Sequence, residues 1–110
     1  MIPIRPLATR DNMTSTTPGA NTDFFTTDLT IPAMAHRITM TIAVSLASRL
    51  YGFCTNGSDV AIDLNGGSQL GAAQMYYITW GVRPDQTWNF QIDTAGVVRY
   101  LTIDALDTGN

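Results

Sequence analysis

Apolar positions in this chain recur every second residue and hardly anywhere at helical spacing. The clearest run is 37–46, where Ile38, Met40, Ile42, Val44 and Leu46 alternate with Arg37, Thr39, Thr41, Ala43 and Ser45. Successive strand residues point to opposite faces, so this period of two predicts a strand with one buried face. Residues 41–51 also admit a short helix. Upstream, Phe25, Leu29 and Ile31 share a parity until Pro32 breaks the run. Downstream, Val60, Ile62 and Leu64 alternate with Asp59, Ala61 and Asp63. Residues 75–82 form an aromatic strand with Tyr76, Tyr77 and Trp80. Trp88, Phe90 and Ile92 then alternate with Asn89, Gln91 and Asp93, and a last run covers 97–106.

Turn signals separate these runs. Asn56-Gly57 lies between two apolar-patterned segments and predicts a hairpin with a type I′ turn, because both residues tolerate positive φ. Asn65-Gly66-Gly67, Arg83-Pro84-Asp85 and Asp93-Thr94-Ala95-Gly96 mark further turns. About seven or eight strands at spacings of roughly 8–12 residues is the pattern of a β-sandwich or barrel. The expected fold is all-β: a single antiparallel sandwich over residues 24–110.

Residues 1–23 read differently. Pro3, Pro6 and Pro18 stand among Thr14, Ser15, Thr16, Thr17, Gly19 and Asn21, with few apolar anchors after Leu7. Proline fixes φ and supplies no backbone donor, so an extended N-terminal arm is expected. Its own domain or a neighbouring subunit must hold such an arm in place.

Composition sharpens the picture. The chain has no lysine and no glutamate; its charges are six arginines and nine aspartates, alongside sixteen threonines. Lysine and glutamate favour solvated helices and are depleted at interfaces, whereas threonine and isoleucine suit sheets and arginine suits interfaces. Charged residues are 14% of the chain, against a typical share of roughly 25%. An all-β domain whose outside is largely covered by partners follows. A net charge of −3 with dispersed arginines argues against nucleic acid as a partner. The longest apolar-leaning segment, between Arg37 and Arg49, is too short to span a bilayer. The first residues carry no basic region followed by an apolar stretch, so no secretory signal is expected.

Chemistry-bearing constellations are sparse. His36 and Cys54 are single and fall in different predicted segments, without zinc spacing. Cys54 reads as a small buried hydrophobe; a nucleophilic role beside His36 lacks an evident orienting residue. Asp59 and Asp63 share a strand face with Asn65 near by, which fits an oxygen site for calcium or an ordinary solvated face. Gly66-Gly67 and Gly71 lack the lysine and helix of a phosphate loop. No enzymatic activity, cofactor or metal is expected. Tyr76 and Tyr77 cannot both face the core, so one of them, with Trp80 or Trp88, is available for a subunit interface or a sugar-stacking platform.

The proline- and threonine-rich arm joined to a short all-β body resembles the capsid decoration (cement) proteins of tailed-phage virions. The second half is similar in style to β-rich phage structural modules, from Leu70-Gly71-Ala72-Ala73 through Tyr77-Ile78-Thr79-Trp80-Gly81-Val82 to Trp88-Asn89-Phe90-Gln91-Ile92 and Arg99-Tyr100-Leu101-Thr102-Ile103-Asp104. The resemblance implies a jelly-roll-like sandwich, commonly trimeric, seated on the major capsid protein at the virion surface. Such a subunit holds capsomers together by burying area across their seam. An arm of about twenty residues reaches roughly 65–75 Å when extended and can add a strand to a neighbour's sheet. Its anchors would be Ile2, Ile4 and Leu7, with Arg5 and Arg10 pairing acidic groups. Tyr76, Tyr77 and Trp80 complete the expected interface. The competing expectation is a carbohydrate- or receptor-binding module of a tail or fibre, with glycan stacked on the aromatic cluster.

Overall fold

The computed structural model describes residues 4–10, 18–33, 35–57 and 60–106. Eight strands follow one another: β1 (Ile4–Arg10), β2 (Leu29–Thr30), β3 (Arg37–Val44), β4 (Leu50–Cys54), β5 (Ile62–Asp63), β6 (Met75–Gly81), β7 (Thr87–Ile92) and β8 (Val98–Leu106). The described residues contain no helix, so the helical alternative for 41–51 does not form.

Two four-stranded antiparallel sheets, ordered β1-β8-β3-β6 and β2-β7-β4-β5, build the domain. First strand pairs with last, second with seventh, third with sixth and fourth with fifth, as in one long hairpin. Rolling that hairpin brings β3 beside β8 and β4 beside β7. This is the jelly roll, an antiparallel sandwich of two Greek keys. Ile4–Arg10, part of the expected arm, is thereby a strand of the chain's own first sheet.

The period of two explains the layering. Along β3, Ile38, Met40, Ile42 and Val44 are buried and the residues between them are half-exposed. They meet Leu101, Ile103 and Ala105 of β8, and face Leu50 of β4 and Trp88, Phe90 and Ile92 of β7 across the sandwich. Phe24 and Phe25 close one side against Phe90, with ring centroids 6.1 and 6.3 Å from it. Burying this apolar surface, at about 25 cal/mol per Å², drives the two sheets together.

Local departures from the sequence pattern have physical causes. Leu46 lies past the end of β3, beyond a register shift at Ala43/Val44, and is 59% exposed. Of the described residues 60–64 only Ile62–Asp63 forms strand, and Val60 and Ile62 face solvent. Only Leu29–Thr30 of 24–31 pairs as a strand, while the rest wraps over β7 through Phe24 N–H to the Phe90 carbonyl (2.9 Å). The Asn56-Gly57 turn is not type I′, since neither residue has positive φ. The Asn56 side chain is used elsewhere: it accepts from Thr87 N–H (3.0 Å) and donates to the Asp85 carbonyl (2.9 Å). Arg83–Gln86 is a turn as expected, with Asp85 at φ 69° and Gln86 N–H donating to the Arg83 carbonyl.

Candidate functional site

The two sheets treat their outer faces differently. Over β7 of the second sheet, the chain supplies its own cover. Asn89, fully buried, accepts from Phe25 N–H (3.2 Å) and donates to the Phe25 carbonyl and Asp28 Oδ1 (both 2.8 Å). Thr55 Oγ1 donates to Asp28 Oδ2 at 2.7 Å, and Gln91 reaches Asp23 at 2.8 Å. Hydrogen bonds from Thr55, then Asn89, hold the Asp28 carboxyl below its ordinary value, against an opposing effect of burial.

The first sheet leaves its outer face open at β6. Strand pairing aligns three rows there: Thr79–Thr39–Asp104, Tyr77–Thr41–Thr102 and Met75–Ala43–Tyr100. Opposed residues of antiparallel strands share a face. Tyr77 is 78% exposed and Met75 51% exposed. Arg37 donates from Nη1 to Thr79 Oγ1 at 3.3 Å, and no carboxylate pairs with it among the described residues. The result is a threonine-rich platform bearing one large projecting ring.

The phase of the β3–β6 ladder also follows. Val82 N–H donates to the His36 carbonyl at 3.0 Å, continuing the register in which Arg37 faces Gly81. Hydrogen-bonded and non-bonded pairs alternate in an antiparallel ladder, so the even residues of β6 bond to β3. The N–H and C=O groups of Met75, Tyr77, Thr79 and Gly81 point away from the sheet, at its free edge.

The expected interface residues do not form one patch. Ile2 lies outside the described residues. Ile4, Arg5 and Arg10 lie on β1, opposite Leu106, Ala105 and Leu101 of β8, and Leu7 falls at the register shift between Pro6 and Ala8. β1 and β6 are opposite edges of the sheet, separated by β8 and β3. Within the aromatic group, only Tyr77 is displayed. Tyr76 turns inward, its hydroxyl accepting from Gly71 N–H (2.7 Å) and donating to Gln74 Oε1 (3.2 Å). Trp80 packs on Trp88 and Phe90, with centroids 5.9 and 5.8 Å away, and its indole N–H is buried without an acceptor among the described residues. Met75, Thr79, Thr39, Thr41 and Thr102 were not singled out from sequence. The signal was there in the odd parity of 75–81, where methionine, tyrosine, threonine and glycine share a face.

Other candidate chemistry is dispersed. Cys54 is buried on β4 of the second sheet and bonds to Asn56 Oδ1 at 3.3 Å, whereas His36 precedes β3 of the first. Asp59 lies outside the described residues. Asp63 pairs with Arg49 at 3.2 Å and accepts from Asn65 N–H at 3.0 Å. Among the described residues, no three histidine, cysteine or acidic side chains gather as metal ligands.

Fold and surface together define a small antiparallel β-sandwich with an open, hydroxyl-rich sheet face. No protein-family model, curated protein or solved structure matches this chain.

Proposed function

We propose that this protein is a non-enzymatic structural subunit of a phage virion, a capsid decoration (cement) protein bound to the major capsid protein and to copies of itself across capsomer seams. The observation that carries the reading is the outer face of β6, where Tyr77 and Met75 stand exposed among threonines and beside an arginine that has no carboxylate partner among the described residues. Aromatic residues, methionine and arginine are the types enriched where proteins meet, and lysine and glutamate, both missing from the chain, are depleted there. A projecting tyrosine supplies large contact area at small entropic cost, and Arg37 suits an acidic capsid group. The jelly roll is an architecture of capsid and lectin domains alike, so the fold supports this reading without selecting it. The resemblance of the chain to cement proteins supplies the selection.

Because Ile4–Arg10 is committed to β8, deleting the first twenty residues would strip an edge strand from the domain. The direct test is cryo-electron microscopy of virions whose genome encodes the chain. Density for the domain on the capsid exterior, with its β6 face against capsid subunits, is expected. Its absence from the head, or its presence only at a tail tip, contradicts the reading.

The second reading, a glycan-binding module of a tail or fibre, draws on Tyr77 alone, a ring set among the hydroxyls of Thr41 and Thr79. Trp80 and Trp88 lend it nothing, because both pack into the interior. Binding on a glycan array that is lost with Tyr77→Ala would favour it over the capsid reading.

A further inference from the structure

Four strands end the two sheets, and among the described residues only one of them is an unguarded edge. β2 and β5 are two residues long, too short to template another strand. β1 contains Pro6, Arg5 and Arg10 and a register shift between Pro6 and Ala8. Proline, charge, irregularity and shortness are the devices by which proteins keep sheet edges from pairing. β6 has none of them: Met75–Gly81 is seven residues of regular strand without charge or proline. Its outward-pointing N–H and C=O groups have no backbone partner among the described residues.

We infer that β6 is a self-association edge, and that two copies of this chain pair β6 to β6 antiparallel about a two-fold axis, joining their first sheets into one eight-stranded sheet. The groups at the free edge fix which residues bond. With the axis passing between the two Ile78 residues, Tyr77 bonds to Thr79 of the partner subunit, and Met75 bonds to Gly81 of the partner subunit.

Three features of β6 fit a second copy as the occupant. An antiparallel pairing of an uncharged strand with itself sets no like charges opposite one another. Arg83, just beyond each strand, is carried to opposite ends of the paired ribbon. Gly81 has no evident internal reason to be glycine: its φ is not positive, and among the described residues an added Cβ would meet only the His36 carbonyl, at 3.9 Å. The space beside it receives the long Met75 side chain of the partner subunit. Beneath the sheet, Ile78 meets its own counterpart and extends the core across the axis. The inference goes beyond the capsid reading: the backbone edge of β6 carries it, whereas the outer face carries that reading, and Tyr77 and Met75 belong to both.

Sedimentation velocity from about 1 μM to about 1 mM spans the range in which an interface this small is expected to titrate. A monomer–dimer equilibrium is expected. The double variant Tyr77→Lys with Thr79→Lys sets lysine opposite lysine at both central pairs and should sediment as a monomer throughout. Tyr77→Lys with Thr79→Glu sets opposite charges together and should restore the dimer. Both positions are exposed, and circular dichroism checks that each variant retains its sheet. A monomer at every concentration, a trimer, or a lysine–lysine variant that still dimerises would overturn the inference.

Discussion

Tyr76 and Tyr77 are neighbours in sequence and lie on opposite faces of one sheet. The Tyr76 hydroxyl accepts from Gly71 N–H at 2.7 Å and pins the 70–74 loop, while the Tyr77 ring is 78% exposed. Tyr76→Phe should therefore destabilise the fold by about 1–2 kcal/mol, the cost of an amide left without its partner. Tyr77→Ala should change stability by less than about 0.5 kcal/mol, as exposed substitutions do. Urea denaturation of the two variants measures both, and equal losses would contradict the assignment of faces.

The two tryptophans should also separate. Trp88 donates from Nε1 to Gln86 Oε1 at 3.2 Å, whereas the buried Trp80 Nε1 has no acceptor among the described residues. Trp88→Phe loses volume and a hydrogen bond. Trp80→Phe loses volume but removes an unmet donor, so it should cost less, under about 1.5 kcal/mol. The reverse order in denaturation midpoints would contradict the packing described.

Asp28 gives the fold a defined acid sensitivity. Its carboxyl is held below the ordinary value of 3.8 by Thr55 and Asn89. A group whose pKa is lower in the folded state stabilises above its unfolded value, and that stability is lost as pH falls through the folded value. Stability should thus be insensitive to Asp28 above about pH 5 and decline below about pH 4. Thr55→Val should move the carboxyl titration, followed by NMR, back toward the ordinary value. An unmoved titration would show that the Thr55 contact does not hold the charge.

Gly57 is glycine because of the sulfur beside it. A Cβ there would sit 2.9 Å from Cys54 Sγ, which is anchored by Asn56 Oδ1 at 3.3 Å. Gly57→Ala is expected to cost about 1–3 kcal/mol. Adding Cys54→Ala should recover part of that loss, giving a favourable coupling in a double-mutant cycle. Strict additivity would place the strain elsewhere.

How much of this was legible in the chain depended on the range of the interactions involved. β3 was legible because its alternation, Ile38 to Val44, is local and its inner face is entirely apolar. The alternation of 59–64 misled for the same reason: Val60 and Ile62 obey the period, but β5 covers only Ile62–Asp63 and both apolar side chains stand exposed. Asn56-Gly57 located a turn but not its type, because the Asn56 side chain bonds to Asp85 and Thr87, about thirty residues away in sequence. That one tyrosine of the pair must be displayed followed from the pleat; which one depended on Gly71 and Gln74 bonding to Tyr76. Nothing local showed which parity of 75–81 packs inward, or that β1 and β6 would end opposite edges of one sheet. Those facts arise from pairings between distant parts of the chain.

The most direct test of the central claim is binding of the purified chain to capsids assembled without it, measured by co-sedimentation over a concentration series. Saturable, stoichiometric binding to the capsid exterior is predicted. Tyr77→Ala should weaken it by about 2 kcal/mol, roughly thirtyfold, as expected for an aromatic residue central to an interface. No binding to such capsids, or binding that Tyr77→Ala leaves unchanged, would contradict the account.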